Sequence, residues 1–131
     1  FFALDEKTGI VKWKQQLNSN LRPTYAEGLL FTVTMEGYLV IIDSRNGNIV
    51  RMTNVFKGIK NYKKNKIKPL GFIVSRDKIF LSLNNGRLIV INITNGKQNN
   101  ILKVDNGKIS RPYILNNDMY IVKDNAILKL N

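Results

Sequence analysis

The sequence predicts an all-β chain assembled from a repeated four-stranded unit, on three observations. A basic residue followed by proline opens three similar segments, at Arg22-Pro23, Lys68-Pro69 and Arg111-Pro112. A turn that begins with Asp or Asn and ends in Gly recurs as DEKTG, DSRNG and NITNG. The runs between turns are β-branched and aromatic, and no segment carries helical periodicity. From Asp5 to Asp43, Asn92 and Asn131 the steps are 38, 49 and 39 residues. A unit near 40 residues, lengthened once by an insertion, is the size of one four-stranded propeller blade.

The elements follow in chain order. Residues 1–4 and 10–16 flank the first Asp–Gly turn and supply the last two strands of a unit. Residues 21–26, 29–34, 38–43 and 48–53 form a complete unit, and 69–75, 78–83, 87–92 and 97–104 a second. Residues 111–115, 118–122 and 126–130 supply only the first three strands of another. Proline suits a strand start, where a missing N–H costs least. Glu36-Gly37 and Asn85-Gly86 read as two-residue primed hairpin turns, with Asp124-Asn125 at the same place in the last unit. In the Asp–Gly turns the acidic or amide side chain caps the backbone ahead of it, and the glycine takes the left-handed position. Leu39–Ile42 and Leu88–Ile91 are continuously apolar, as expected of strands packed on both faces.

The pattern is therefore that of a β-propeller fragment of about three four-stranded antiparallel blades: a partial blade, two full blades and a three-stranded last blade. The expected division is 1–20 for the end of one blade, 21–54 for a blade, 55–66 for a basic insertion, 67–108 for a blade and 109–131 for an incomplete one. Starting with half a blade predicts that the chain is the C-terminal part of a longer propeller, whose missing blades are the alternative to a protein partner.

Ala3, Leu4, Asp5, Thr8, Gly9 and Trp13 resemble the quinoprotein-type (PQQ-like) repeat. The later units are degenerate copies in which the tryptophan position falls on Arg51 and Asn100, or with a one-residue slip on Met52 and Ile101. Within that superfamily the ending MYIVKDNAILKLN resembles the C-terminus of the BamB family of outer-membrane assembly lipoproteins. The resemblance implies a periplasmic scaffold on the outer membrane that binds the barrel-inserting subunit. It also implies a lipid anchor outside this chain, a ring closed at about eight blades, and Trp13 wedged between neighbouring blades. The alternative it carries is a fragment of a PQQ-dependent dehydrogenase whose active site lies in other blades.

Composition narrows the chemistry. The 131 residues contain no His and no Cys, which removes the commonest general base, disulfides and thiolate metal sites. Asp5, Asp43, Asp77 and Asp118 each have a turn or capping explanation, and neither a phosphate-binding glycine loop nor an acidic cluster occurs. No catalytic, metal-binding or cofactor-binding residue is therefore expected in this chain. No apolar run is long enough to cross a bilayer. The net charge of +12 suits an anionic partner, and equally a lysine- and asparagine-rich composition such as an AT-rich genome produces.

The insertion interrupts the repeat with VFKGIKNYKKNKIK, residues 55–68. Lys57, Lys60, Tyr62, Lys63, Lys64 and Lys66 are its candidate partner-binding residues. They suit an acidic protein surface, lipid head groups or a phosphate backbone, or else form a solvated loop that tolerates lysine. One tyrosine and no arginine argue against nucleic acid. Arg22 and Arg111 read as rim residues or as ordinary turn charges.

Overall fold

A computed structural model describes residues 1–59 and 66–130. Thirteen strands and no helix occur among them. β1 (Phe2–Leu4) and β2 (Val11–Lys14) form a two-stranded sheet. β3 (Thr24–Ala26), β4 (Leu29–Val33), β5 (Tyr38–Asp43) and β6 (Ile49–Asn54) form a four-stranded sheet in chain order. β7 (Pro69–Ser75), β8 (Lys78–Leu83), β9 (Arg87–Asn92) and β10 (Gln98–Lys103) form a second one. β11 (Tyr113–Leu115), β12 (Asp118–Lys123) and β13 (Ala126–Leu130) close the chain as a three-stranded sheet. Every pairing is antiparallel and none of the sheets closes on itself, as the sequence predicts.

Burial follows from stacking. The central strands β5 and β9 are buried on both faces along their middle four residues, which explains their unbroken apolar runs. The outer strands are more open, β6 exposed at half of its residues and β10 at nearly all, and their sequences are correspondingly mixed. Three apolar seams join the sheets. Trp13, Val40 and Ile42 fill the first, with Phe1 and Leu30 at its margin. The second is the largest and includes Phe31, Leu39, Phe72, Leu81 and Ile89. Leu88, Ile109 and Ile121 fill the third.

The Asp–Gly turns repeat almost atom for atom. Gly9, Gly47 and Gly96 donate to the carbonyls of Asp5, Asp43 and Asn92 at 2.8, 2.9 and 2.8 Å. The Asp5, Asp43 and Asn92 side chains accept N–H groups from Lys7 and Thr8, from Arg45 and from Asn95 respectively. The hairpin turns differ from the expectation. Gly37 and Gly86 have positive φ, but Glu36 and Asn85 do not. Gly37 and Gly86 donate to the Thr34 and Leu83 carbonyls, so these are three-residue loops ending in a glycine bulge rather than two-residue primed turns. In the last unit Asp124, not Asn125, adopts positive φ. Paired positive φ occurs instead at Glu27-Gly28 and Asn116-Asn117, the first turns of their sheets.

The register also settles the tryptophan position. Ala3 pairs with Trp13, Ile41 with Arg51 and Val90 with Asn100, each two residues before the turn Asp or Asn. Each pairing lies beside a bulge, so the equivalents of Trp13 are Arg51 and Asn100 without a slip.

Candidate functional site

Antiparallel order fixes which residues share a rim. In each complete sheet the strand entry, the second turn and the exit lie at one end, here the entry rim. The first and third turns lie at the other. The seams hold these rims in line: Met35 donates to the Asn18 carbonyl at 2.8 Å on the entry rim, and Trp13 Nε1 to the Ser44 carbonyl at 2.9 Å near the other.

The insertion leaves the entry rim after β6. Its first residues are core rather than solvated: Val55 and Phe56 are fully buried, Ile59 is 7% exposed, and Ile67 at its far end is 8% exposed. Apolar residues at 55, 56, 59 and 67 thus clamp both ends into the second seam. Asn84 fastens the far end, accepting the Lys68 N–H at 2.9 Å and donating to the Lys66 carbonyl at 2.8 Å. Lys57 and Lys66 point to solvent, while Lys60, Tyr62, Lys63 and Lys64 lie outside the described residues. Beside the clamp is a cleft of about 430 Å³ whose wall includes Ile59, Lys66, Ile67, Asn85, Arg87 and Ile101. Arg87 and Ile101 are absent from the sequence-derived candidates because they look like ordinary strand residues; only their pairing across β9 and β10 brings them to the insertion.

The acidic residues are engaged in structure. The Asp5 carboxyl is held down at about 2, first by the Thr8 N–H and then by the Thr8 hydroxyl and Lys12. The Asp43 carboxyl lies at about 2 because the Arg45 guanidinium binds it at 2.7 and 3.1 Å. Lys123, 2.9 Å from Asp105, lowers that carboxyl. Asp118 is an ion-pair residue rather than a cap, 2.7 Å from Lys129, which its hydrogen bond and then its charge raise. Among the described residues Asp77 contributes its backbone carbonyl, which accepts from the Ile93 N–H. Arg111 sits 4.9 Å above the Tyr113 ring. Among the described residues no group of three or more acidic residues is placed to hold a metal.

Residues 1–130 match the family model described as outer membrane protein assembly factor BamB. The chain belongs to the BamB family. Among solved structures, BamB from Moraxella catarrhalis superposes with a TM-score of 0.73 at 14% identity, over 96% of this chain and 35% of that one. The quinohemoprotein alcohol dehydrogenase ADHIIG from Pseudomonas putida HK5 gives 0.61 at 17% identity, over 83% and 17%. AztD from Citrobacter koseri gives 0.60 at 17% identity, over 80% and 30%. These likenesses establish a shared propeller architecture, and the chain spans about a third of the BamB it resembles. No curated protein sequence matches it.

The dehydrogenase likeness raises the question of pyrroloquinoline quinone. This BamB-family chain does not fit it. Its sole tryptophan, 9% exposed, is packed on Gly47 in the first seam with its N–H engaged by Ser44, so the ring presents no free face for a quinone.

Proposed function

We propose that the chain is part of a non-catalytic propeller scaffold for outer-membrane protein assembly, holding the barrel-inserting subunit at the periplasmic face of the outer membrane. The observation that carries this reading is the family match across residues 1–130. The geometry supports it. Interlocked seams make the sheets a continuous support, and the turns stand at its rims, the arrangement in which scaffolds place binding residues.

The test is a calorimetric titration of the full-length protein with the periplasmic domains of the barrel-inserting subunit. Saturable binding is expected, and its absence at the highest soluble concentrations would overturn the reading. A parallel titration with PQQ and calcium, followed by quinone absorbance, is expected to show no saturable change. Saturation there would restore the dehydrogenase alternative.

A further inference from the structure

We infer that the cleft beside the insertion receives an extended acidic segment of a partner protein, with the partner's aliphatic side chains seated in the cleft and its carboxylates on the surrounding cations. This rests on the scaffold reading and names the chemistry of its partner.

The first argument is charge placement. Only three of the nine acidic residues, Glu36, Asp105 and Asp124, lie on the entry rim. Asp5, Glu6, Glu27, Asp43, Asp77 and Asp118 all sit in the turns of the opposite rim. All three entry-rim acids are already engaged, Asp105 and Asp124 by Lys123 and Glu36 by Asn18. Lys57, Lys66, Lys68 and Arg87 have no carboxylate partner among the described residues. Among the described residues the cations of the entry rim therefore have few acidic neighbours, and a field of one sign steers and orients an anionic partner.

The second argument is the cleft itself. Ile59, Ile67 and Ile101 give it aliphatic walls, Lys66 and Arg87 supply cations, and no acidic residue lines it among the described residues. A flat bilayer surface cannot reach side chains as buried as Ile59 and Ile67, whereas a protruding Val or Leu of a peptide can. Stacking bases need aromatic platforms, and among the described residues no aromatic side chain lines the cleft. Strand addition to β10 is disfavoured as well, because the Ile101 N–H is already bound at 2.8 Å by the Asn100 side chain. Side-chain insertion flanked by charge pairing is the mode that remains.

The probe is a fluorescein-labelled peptide alternating Glu and Asp with Val and Leu, titrated into the full-length protein and followed by anisotropy. Saturable binding is expected, weakened at least ~10-fold by the Lys66→Glu/Arg87→Glu double variant and several-fold on raising salt from ~0.05 to ~0.3 M. A Glu-only peptide is expected to bind more weakly, and the Lys counterpart not at all. Amide shifts on the unsubstituted protein should centre on Ile59, Ile67, Arg87 and Ile101, a readout that does not depend on the variant folding. Shifts confined to the opposite rim would overturn the inference, as would unchanged affinity in the double variant. Charge-dependent binding to phosphatidylcholine vesicles containing one quarter phosphatidylglycerol, with no peptide binding, would assign the rim to lipid instead. If the double variant binds the barrel-inserting subunit unchanged, the cleft inference alone falls. If the unsubstituted protein does not bind that subunit, the scaffold reading falls.

Discussion

Trp13 and Arg51 occupy the same place in successive sheets and solve the same problem by different chemistry. Trp13 Nε1 donates to the Ser44 carbonyl at 2.9 Å, and Arg51 Nη1 donates to the Ile93 carbonyl at 2.6 Å. Both acceptors are the residue after the turn Asp or Asn. The ring, however, also fills the seam, lying against Gly47, whereas the guanidinium leaves the corresponding Gly96 facing Thr53. Burying an aromatic side chain contributes roughly 1.5–3 kcal/mol, against about 1 kcal/mol for the hydrogen bond alone. The second seam recovers the missing apolar area from the insertion, through Val55, Phe56, Ile59 and Ile67. A repeat can therefore keep its hydrogen-bond geometry while apolar contact moves to a different part of the chain.

The sharpest way to break this comparison is Phe56→Ala. That side chain is 1% exposed, and its loss is expected to cost about 3–5 kcal/mol of global stability in urea unfolding. A cost below about 1 kcal/mol would show that the insertion does not seal the second seam. Trp13→Ala is expected to cost about 3 kcal/mol, seen mainly as faster amide exchange in β1 and β2, the sheet that this residue anchors. Trp13→Phe is expected to cost only about 1 kcal/mol, because it removes the hydrogen bond and keeps most of the area.

Glycines of the repeated turn separate backbone strain from seam packing. Gly9 and Gly47 have φ of 70° and 77°, yet a Cβ on Gly9 meets open space while one on Gly47 would lie 2.6 Å from the Trp13 ring. Gly9→Ala is expected to cost about 1 kcal/mol from strain alone, and Gly47→Ala about 2–3 kcal/mol, measured as the difference in urea midpoints. Equal costs would remove the ring from the account. Arg51→Met keeps the aliphatic stem but leaves the Ile93 carbonyl without its donor, with an expected loss of about 1–2 kcal/mol.

The smallest effect is acidic. Carboxyls held at about 2 favour the folded state above their ordinary range near 3.8, and that contribution disappears as pH falls through the folded value. Melting temperature should therefore drop between pH 4 and pH 2, and Asp43→Asn, already lacking its charge, should show a smaller drop. Both carboxylates sit in surface turns beside exposed cations that solvent screens, so the change is modest.

Much of this architecture is legible in the sequence. Proline, Asp–Gly turns and apolar runs repeat at a fixed period, and each is a local signal whose cause lies within a few residues. That is why the strands, their sheets and the turn caps at Asp5 and Asp43 follow from the sequence. What the sequence hides is set by partners distant along the chain. Val55, Phe56 and Ile59 look like part of a basic loop, but they are core because β8 and β9 supply a surface for them. The Glu36 and Asn85 turns could not be typed from residue identity, since Asn-Gly suits both a primed turn and a glycine bulge. The candidate site was half visible: the lysines mark the insertion, whereas Arg87 and Ile101 join it only through strand pairing.

Hydrogen–deuterium exchange on the full-length protein, with and without the periplasmic domains of the barrel-inserting subunit, tests the central claim most directly. Protection at Lys66–Pro69, Asn84–Arg87 and the middle of β10 is the expected result, marking the entry rim as the binding face. Protection confined to the turns of the opposite rim, or none anywhere, would contradict it.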